Sequence, residues 1–228
     1  MLFNSYGFIG VFLPATLIGF FVAGRWSALL AAGWLGLASL VFYSWWDVRF
    51  TALLIGSIAL NYIGGRLLLR AHDNPRASIW LLWIFVGTDL LILGLFKYLN
   101  FFAGTAGFVL PQIVLPIGIS FFTFTQIAFL VDTARGRARP TNLVHYLLFI
   151  TYFPHLIAGP VLHHAEMIPQ FRRAETYSPR ASAIAVGMTV FMLGLFKKVV
   201  LADEIGMFAK DAFSPWQGHS LGLLPETI

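Results

Sequence analysis

The chain has 228 residues, 58% of them hydrophobic and 11% charged, with a mean hydropathy of +0.79. Soluble domains carry about 25% charged residues, so a soluble globular protein is excluded and an all-α integral membrane protein is expected. The net charge of +5 comes without an aromatic-interleaved basic patch, which argues against nucleic acid and for loop arginines and lysines facing an anionic lipid leaflet.

With about 20 apolar residues per crossing, the chain holds a polytopic bundle of six or seven transmembrane or re-entrant helices. The first apolar run, 1–24, has no lysine or arginine ahead of it and reads as a retained helix rather than a cleavable signal. Further runs lie at 28–46, 50–69, 78–96, 113–131, 143–159 and 181–196. Tyr43, Trp45 and Trp46 mark an interface belt. Asn61 and Tyr62, just ahead of Gly64 and Gly65, read as polar packing residues where another helix comes close.

Two polar turns set the orientation. Residues 70–76 form one, with Pro75 as its stop signal, and the basic stretch 135–140 forms the other. An outside N-terminus puts Arg25, Arg66, Arg70, Arg76, Arg135, Arg137 and Arg139 inside, as the positive-inside rule requires. Beyond Arg139 the count is balanced. If 143–159 crosses, Arg172, Arg173 and Arg180 lie outside and Lys197, Lys198 and Lys210 inside; if it re-enters, the two sets exchange. The string Leu-Gly-Leu-Phe-Lys at 93–97 recurs at 193–197, but its flanks do not match. Each lysine therefore reads as closing an apolar helix and reaching for the headgroups.

Residues 115–170 carry the interruptions. Lipid satisfies no freed backbone group, so broken helices persist only against protein or a water-filled cavity. Phosphate-loop, dinucleotide and zincin motifs are absent from the sequence. Gly118-Ile-Ser120 lacks the final glycine of a nucleophile elbow, so Ser120 reads as a packing hydroxyl. None of the six histidines has an aspartate five positions on. His163 and His164 are adjacent and His155 is distant, so no metal site is expected. Cysteine is absent, which removes disulfides and thiolate ligands.

Pro116 opens a helix in its tolerant first turn, and Asp132 and Arg135 at its end are spaced for an i, i+3 pair anchoring the basic turn. In Phe153-Pro-His-Leu-Ile-Ala-Gly-Pro160 two prolines and a glycine break the helix. His155 then faces protein or water, and three roles stay open: satisfying freed carbonyls, touching a substrate or cofactor, or catalysis. Asp89, a carboxylate inside an apolar run, is either partnered by an arginine or backbone donors or functional in its own right.

Pro116-Ile-Gly-Ile-Ser-Phe-Phe, Phe129-Leu-Val-Asp-Thr-Ala-Arg-Gly136 and Phe153-Pro-His-Leu-Ile-Ala-Gly-Pro-Val161 together resemble the membrane-bound O-acyltransferase family. The resemblance is to the branch of the alginate O-acetyltransferase membrane subunit and relatives acting on cell-surface polymers. It extends to the opening Met1-Leu-Phe-Asn-Ser, Val41-Phe-Tyr-Ser-Trp-Trp46, Asp89 with Gly94-Leu-Phe-Lys-Tyr98, and Phe196-Lys-Lys-Val-Val-Leu-Ala-Asp203, in order along nearly the whole chain.

The resemblance implies transfer of an acyl, in particular an acetyl, group to hydroxyls of an exported polysaccharide such as alginate. It implies a larger tunnel-forming fold in which a cytoplasmic donor meets an external acceptor. His155, Pro154, Gly159, Pro160, Ser120 and Asp89 are the candidates for the tunnel wall, and Arg135, Arg137 and Arg139 for the donor side. The acyl donor is a substrate and no bound cofactor is implied; partner proteins of a polymer-acetylation complex and a bacterial inner-membrane location are. Family members are roughly twice as long and carry their catalytic histidine after a tryptophan. No Trp-His pair occurs here, and His219 sits between Gly218 and Ser220. Residues 1–228 are therefore expected to be the N-terminal part of the domain, with no catalytic residue assigned. The competing expectation is a noncatalytic polytopic protein, a transporter half or assembly subunit, since interrupted helices serve transporters equally.

Overall fold

The computed structural model describes residues 2–105, 107, 111, 114–138, 142–156, 159, 164–171 and 173–207. Among these residues every regular element is helical and none is a strand. The chain divides into two units, one of Gly7–Ser178 and one of Leu2–Tyr6 with Pro179–Ile228.

In the larger unit a π-helical turn, Phe8–Phe12, leads into α1, Leu13–Gly24, with Pro14 in its first turn, where the missing N–H costs nothing. Ser27 caps α2, Ala28–Ser44, accepting the Leu29 N–H at 3.1 Å. Asp47 caps α3, Val48–Arg70, accepting the Arg49 N–H at 2.9 Å. The Arg49 side chain and N–H together hold the Asp47 carboxyl below the usual carboxylate range. Pro75 ends the polar turn, as the sequence suggested, and does so by starting the next helix. It opens α4, Pro75–Thr105, behind Asn74, whose Oδ1 accepts the Ala77 N–H. Proline at the first helical position is preset for the helix and loses no bond there.

The 78–96 run is thus only part of α4, whose 31 residues span about 46 Å. Lys97 lies inside it rather than closing it. The run at 113–131 starts later than read: Gly118, at φ 74°, takes the left-handed conformation that L-residues avoid, and α5 is Ile119–Ala134. Pro116 precedes this helix instead of sitting in its first turn. Asn142 caps α6, Leu143–Thr151, through the His145 N–H at 2.8 Å.

The break in the next segment falls at Tyr152, ahead of the prolines' expected position. Pro154 has no N–H for the carbonyl of Ile150, and its ring clashes with the preceding turn. The helix therefore ends before it and restarts as α7, Phe153–Leu156, with Pro154 in the first turn. Residues of α8, His164–Gln170, and a 3-10 turn, Ala174–Tyr177, complete the unit.

Packing is set by glycines. A Cβ on Gly64 would stand 2.8 Å from the Phe85 ring of α4, and one on Gly65 would stand 2.8 Å from the Phe129 ring of α5. Adjacent positions of α3 thus admit two different helices, the close approach expected at this glycine pair. Gly36 of α2 admits Leu147 of α6 in the same way. Phe8, Phe12, Phe42 and Phe153 form an aromatic knot with ring centroids 5.4–6.0 Å apart. Gly64→Ala should destabilise the fold by about 1–3 kcal/mol, the usual cost of overpacking. Thermal unfolding in detergent checks this, with Gly56→Ala, whose Cβ meets nothing within 4 Å, as the neutral reference.

The second unit holds α9, Ala181–Phe196, continued by a π segment, Lys197–Ala202. Lys197 does not close this helix either, and Lys198 pairs with Asp203. Among the described residues three helices are long and apolar enough to cross a membrane: Val48–Arg70, Pro75–Thr105 and Ala181–Met207. Phe8–Gly24, Ala28–Ser44 and Ile119–Ala134 are shorter apolar helices.

Candidate functional site

Short turns join α1 to α2, α2 to α3 and α3 to α4, so the ends of α1 and α3 and the starts of α2 and α4 share one end of the larger unit, and the end of α5 lies there too. There a Cβ on Gly136 would stand 3.0 Å from His72 Cε1, so the two polar turns lie side by side. The basic turn is a Schellman closure of α5. Arg137 N–H donates to the Asp132 carbonyl at 2.8 Å and Gly136 N–H to that of Thr133 at 3.0 Å, with Gly136 at φ 70°. The turn is therefore anchored by the Asp132 backbone, while its carboxylate faces His164 Nδ1 at 3.7 Å. Arg135 and Arg137 are exposed; Arg139 lies outside the described residues.

Helix α6 enters from this end and runs beside α2. Val144 lies against Gly33, Leu147 against Gly36, and the Phe153 N–H donates to Ser39 Oγ at 3.3 Å. Its nine residues cover about 13 Å, less than half of a hydrocarbon core. By His164 the chain is back beside Asp132, with its ring edge-on to Phe129 at 5.7 Å. Tyr177 then packs on Phe20 at 5.4 Å and against Gly24. The segment after Asn142 thus leaves and returns to the same end, an alternative that charge counting left open.

At its inner part His155 is buried and stacks near Tyr152, with centroids 5.5 Å apart. The ring faces the Phe149 backbone, yet neither nitrogen reaches hydrogen-bond geometry with any described residue. Gly159 N–H closes a turn on the His155 carbonyl at 3.1 Å. A Cβ on Gly159 would stand 2.5 Å from both Cα and Cβ of His155, so only glycine fits against this histidine. Pro154 is exposed. Pro160 lies outside the described residues.

Asp89 is 2% exposed, and its partner is neither an arginine nor a backbone group. Asn61 Nδ2 donates to Asp89 Oδ1 at 2.8 Å and also to the Ser57 carbonyl. Ser57 Oγ in turn donates to Gln126 Oε1 at 3.1 Å. Tyr146 of α6 lies within electrostatic reach of Asp89, between Tyr62 and Phe129. Sequence reading noted Asn61 but missed Ser57, Gln126 and Tyr146. The available signal was the i, i+4 spacing of Ser57 and Asn61 and a lone glutamine in an apolar helix.

Ser120 is half-buried and receives a long contact from Lys97 Nζ at 3.5 Å, while Lys97 also sits 5.4 Å over the Tyr98 ring. Among the described residues no hydrogen bond or ion pair joins His155, Asp89, Ser120 and the arginines to one another. What relates two of them is α6, whose Tyr146 faces the Asp89 cluster and whose end leads into Tyr152 and His155. The described residues contain no group of three or more histidines and carboxylates able to hold a metal ion.

No family model and no solved structure matches the chain. Curated relatives do. The chain is 38% identical over 248 residues to a peptidoglycan O-acetyltransferase of Helicobacter pylori, an alignment covering 93% of the chain and 46% of that protein. It is 40% identical over 227 residues to the probable alginate O-acetylase AlgI of Pseudomonas aeruginosa, covering 94% of the chain and 42% of that protein. A teichoic acid D-alanyltransferase of Lacticaseibacillus rhamnosus is 20% identical over 66% of the chain and 38% of its own length. The chain spans less than half the length of these relatives.

Proposed function

Because this chain belongs to the membrane-bound O-acyltransferase family, we propose that it forms part of an enzyme that transfers an acyl group, in particular acetyl, to hydroxyls of an exported polysaccharide. The observation that carries the reading is the alignment of nearly the whole chain with O-acetyltransferases of two different polymers. In the whole protein a neutral imidazole takes the hydroxyl proton as the oxygen attacks the donor carbonyl. No histidine of this sequence is assigned that role.

In this reading the returning segment, with Pro154, His155, Gly159 and Pro160, shapes the tunnel in which donor and acceptor meet. A buried histidine whose nitrogens bond no described residue suits a wall with polar contacts to offer. Asp89 and Ser120 stand farther along that wall, and Arg135, Arg137 and Arg139 receive an anionic donor or its carrier at the inner face. Six helices cross the bacterial inner membrane and one segment re-enters, with the N-terminus outside. This topology keeps the basic turns on the inner side, in accord with the positive-inside rule; beyond them it exchanges Arg172, Arg173 and Arg180 inside for Lys197, Lys198 and Lys210 outside, so its support there is the return of the segment to the end it left. The donor is a substrate, no cofactor is bound, and further proteins of a polymer-acetylation complex are the partners.

Deleting the locus tests the reading. Loss of acetyl ester from a surface polymer that is still made is the expected result. Polymer with unchanged ester would sink it and favour a noncatalytic membrane protein.

A further inference from the structure

Four helices of the larger unit bring a set of polar side chains together in an otherwise apolar interior, and the hydrogen bonds among them do not balance. Asn61, Gln126 and Tyr146 are fully buried and Asp89 is 2% exposed. Asn61 Nδ2 uses its two protons on Asp89 Oδ1 and the Ser57 carbonyl, and Ser57 Oγ donates to Gln126 Oε1. Left over are two acceptors, Asp89 Oδ2 and Asn61 Oδ1, and two donors, Gln126 Nε2 and the Tyr146 hydroxyl. Such atoms are costly to leave dry, above all where the surroundings have low dielectric.

The leftover set has a definite complement. An occupant must donate to a carboxylate and an amide oxygen and accept from an amide N–H and a phenol. Water has two protons to give and two lone pairs to receive, and internal waters in proteins make two to four such bonds. A bare cation would satisfy the two oxygens but face the protons of Gln126 and Tyr146, and an apolar group would satisfy nothing. We propose that Asn61, Asp89, Gln126 and Tyr146 enclose a buried hydration site, one or two ordered waters that tie α3, α4, α5 and α6 together. The tie reaches α6 at Tyr146, within two turns of Tyr152, and so fixes the register from which the His155 segment departs.

Radiolytic hydroxyl labelling of the full chain in lipid nanodiscs, read by mass spectrometry, tests the site without reference to transfer activity. Radicals form from the water itself, so a residue beside an internal water is modified although bulk solvent does not reach it. Tyr146 is expected to be modified several-fold faster than Phe42, which is equally buried but packed among phenyl rings. Asp89→Asn, which keeps the shape and an acceptor, should retain that labelling, and Tyr146→Phe should move it little on the ring because the water stays. Labelling of Tyr146 as slow as that of Phe42 in the unaltered protein would overturn the proposal. So would a thermal midpoint that shifts when sodium is replaced by potassium or choline, since a cation would then hold the site.

Discussion

Alanine at Gly159 is expected to leave the complete protein in the membrane at normal level and to reduce polymer acetylation by about a hundredfold. The added methyl would stand 2.5 Å from the Cα and Cβ of His155 and 3.2 Å from its carbonyl oxygen. None of these atoms lies at the end of a flexible side chain, so nothing rotates aside; the turn from His155 to Gly159 must open or α7 must shift. A displacement near 1 Å is enough to cost about two orders of magnitude where donor and acceptor must be held in line. The damage should stay local, because α6 is held independently by the Asn142 cap and by Leu147 seated at Gly36. Gly187→Ala, where a Cβ meets nothing within 4 Å, is the matched control. Ester content of the polymer against membrane-fraction protein is the measurement. Full acetylation by the Gly159→Ala protein at equal level would remove this segment from the tunnel.

How far the sequence leads depends on whether a feature is local. The starts of the runs at 28 and 143 were legible and coincide with those of α2 and α6, because Ser27 and Asn142 directly ahead of them each accept an N–H two or three residues on and need nothing else from the fold. The close approach at Gly64 and Gly65 was legible as a tendency, but which helix each admits was not. The partner of Asp89 could not be read, since Asn61 lies 28 residues away on another helix and only packing brings them together. Proline was legible as a helix breaker but not to the residue: Pro154 ends α6 ahead of itself, at Tyr152, and is then taken into the first turn of α7, while Pro75 ends its polar turn by opening α4. The direction of the segment after Asn142 was beyond charge counting because three positive residues exchange for three. Two long-range contacts, His164 with Asp132 and Tyr177 with Phe20, bring the described residues of that stretch back to the end it left.

Replacing Arg135, Arg137 and Arg139 together with glutamine should raise the KM for the acyl donor by about 10- to 100-fold while kcat changes little. Exposed charge contacts are each worth up to about 1 kcal/mol, and three of them acting on one anionic group correspond to that range. The substitutions spare the turn, which is built from backbone: the Asp132 and Thr133 carbonyls accept the Arg137 and Gly136 N–H groups, and the left-handed Gly136 is untouched. Salt supplies the internal control. Exposed charges are screened within about 8–10 Å at physiological ionic strength and within about 3 Å at 1 M, so the wild-type KM should rise with salt toward the variant's, while the variant's stays flat. Because the same arginines orient the chain by the positive-inside rule, accessibility labelling of the turn from each side of the membrane must accompany the kinetics. Inverted variant protein would explain lost activity through topology, and a correctly oriented variant with wild-type KM at every salt concentration would show that the basic turn does not meet the donor.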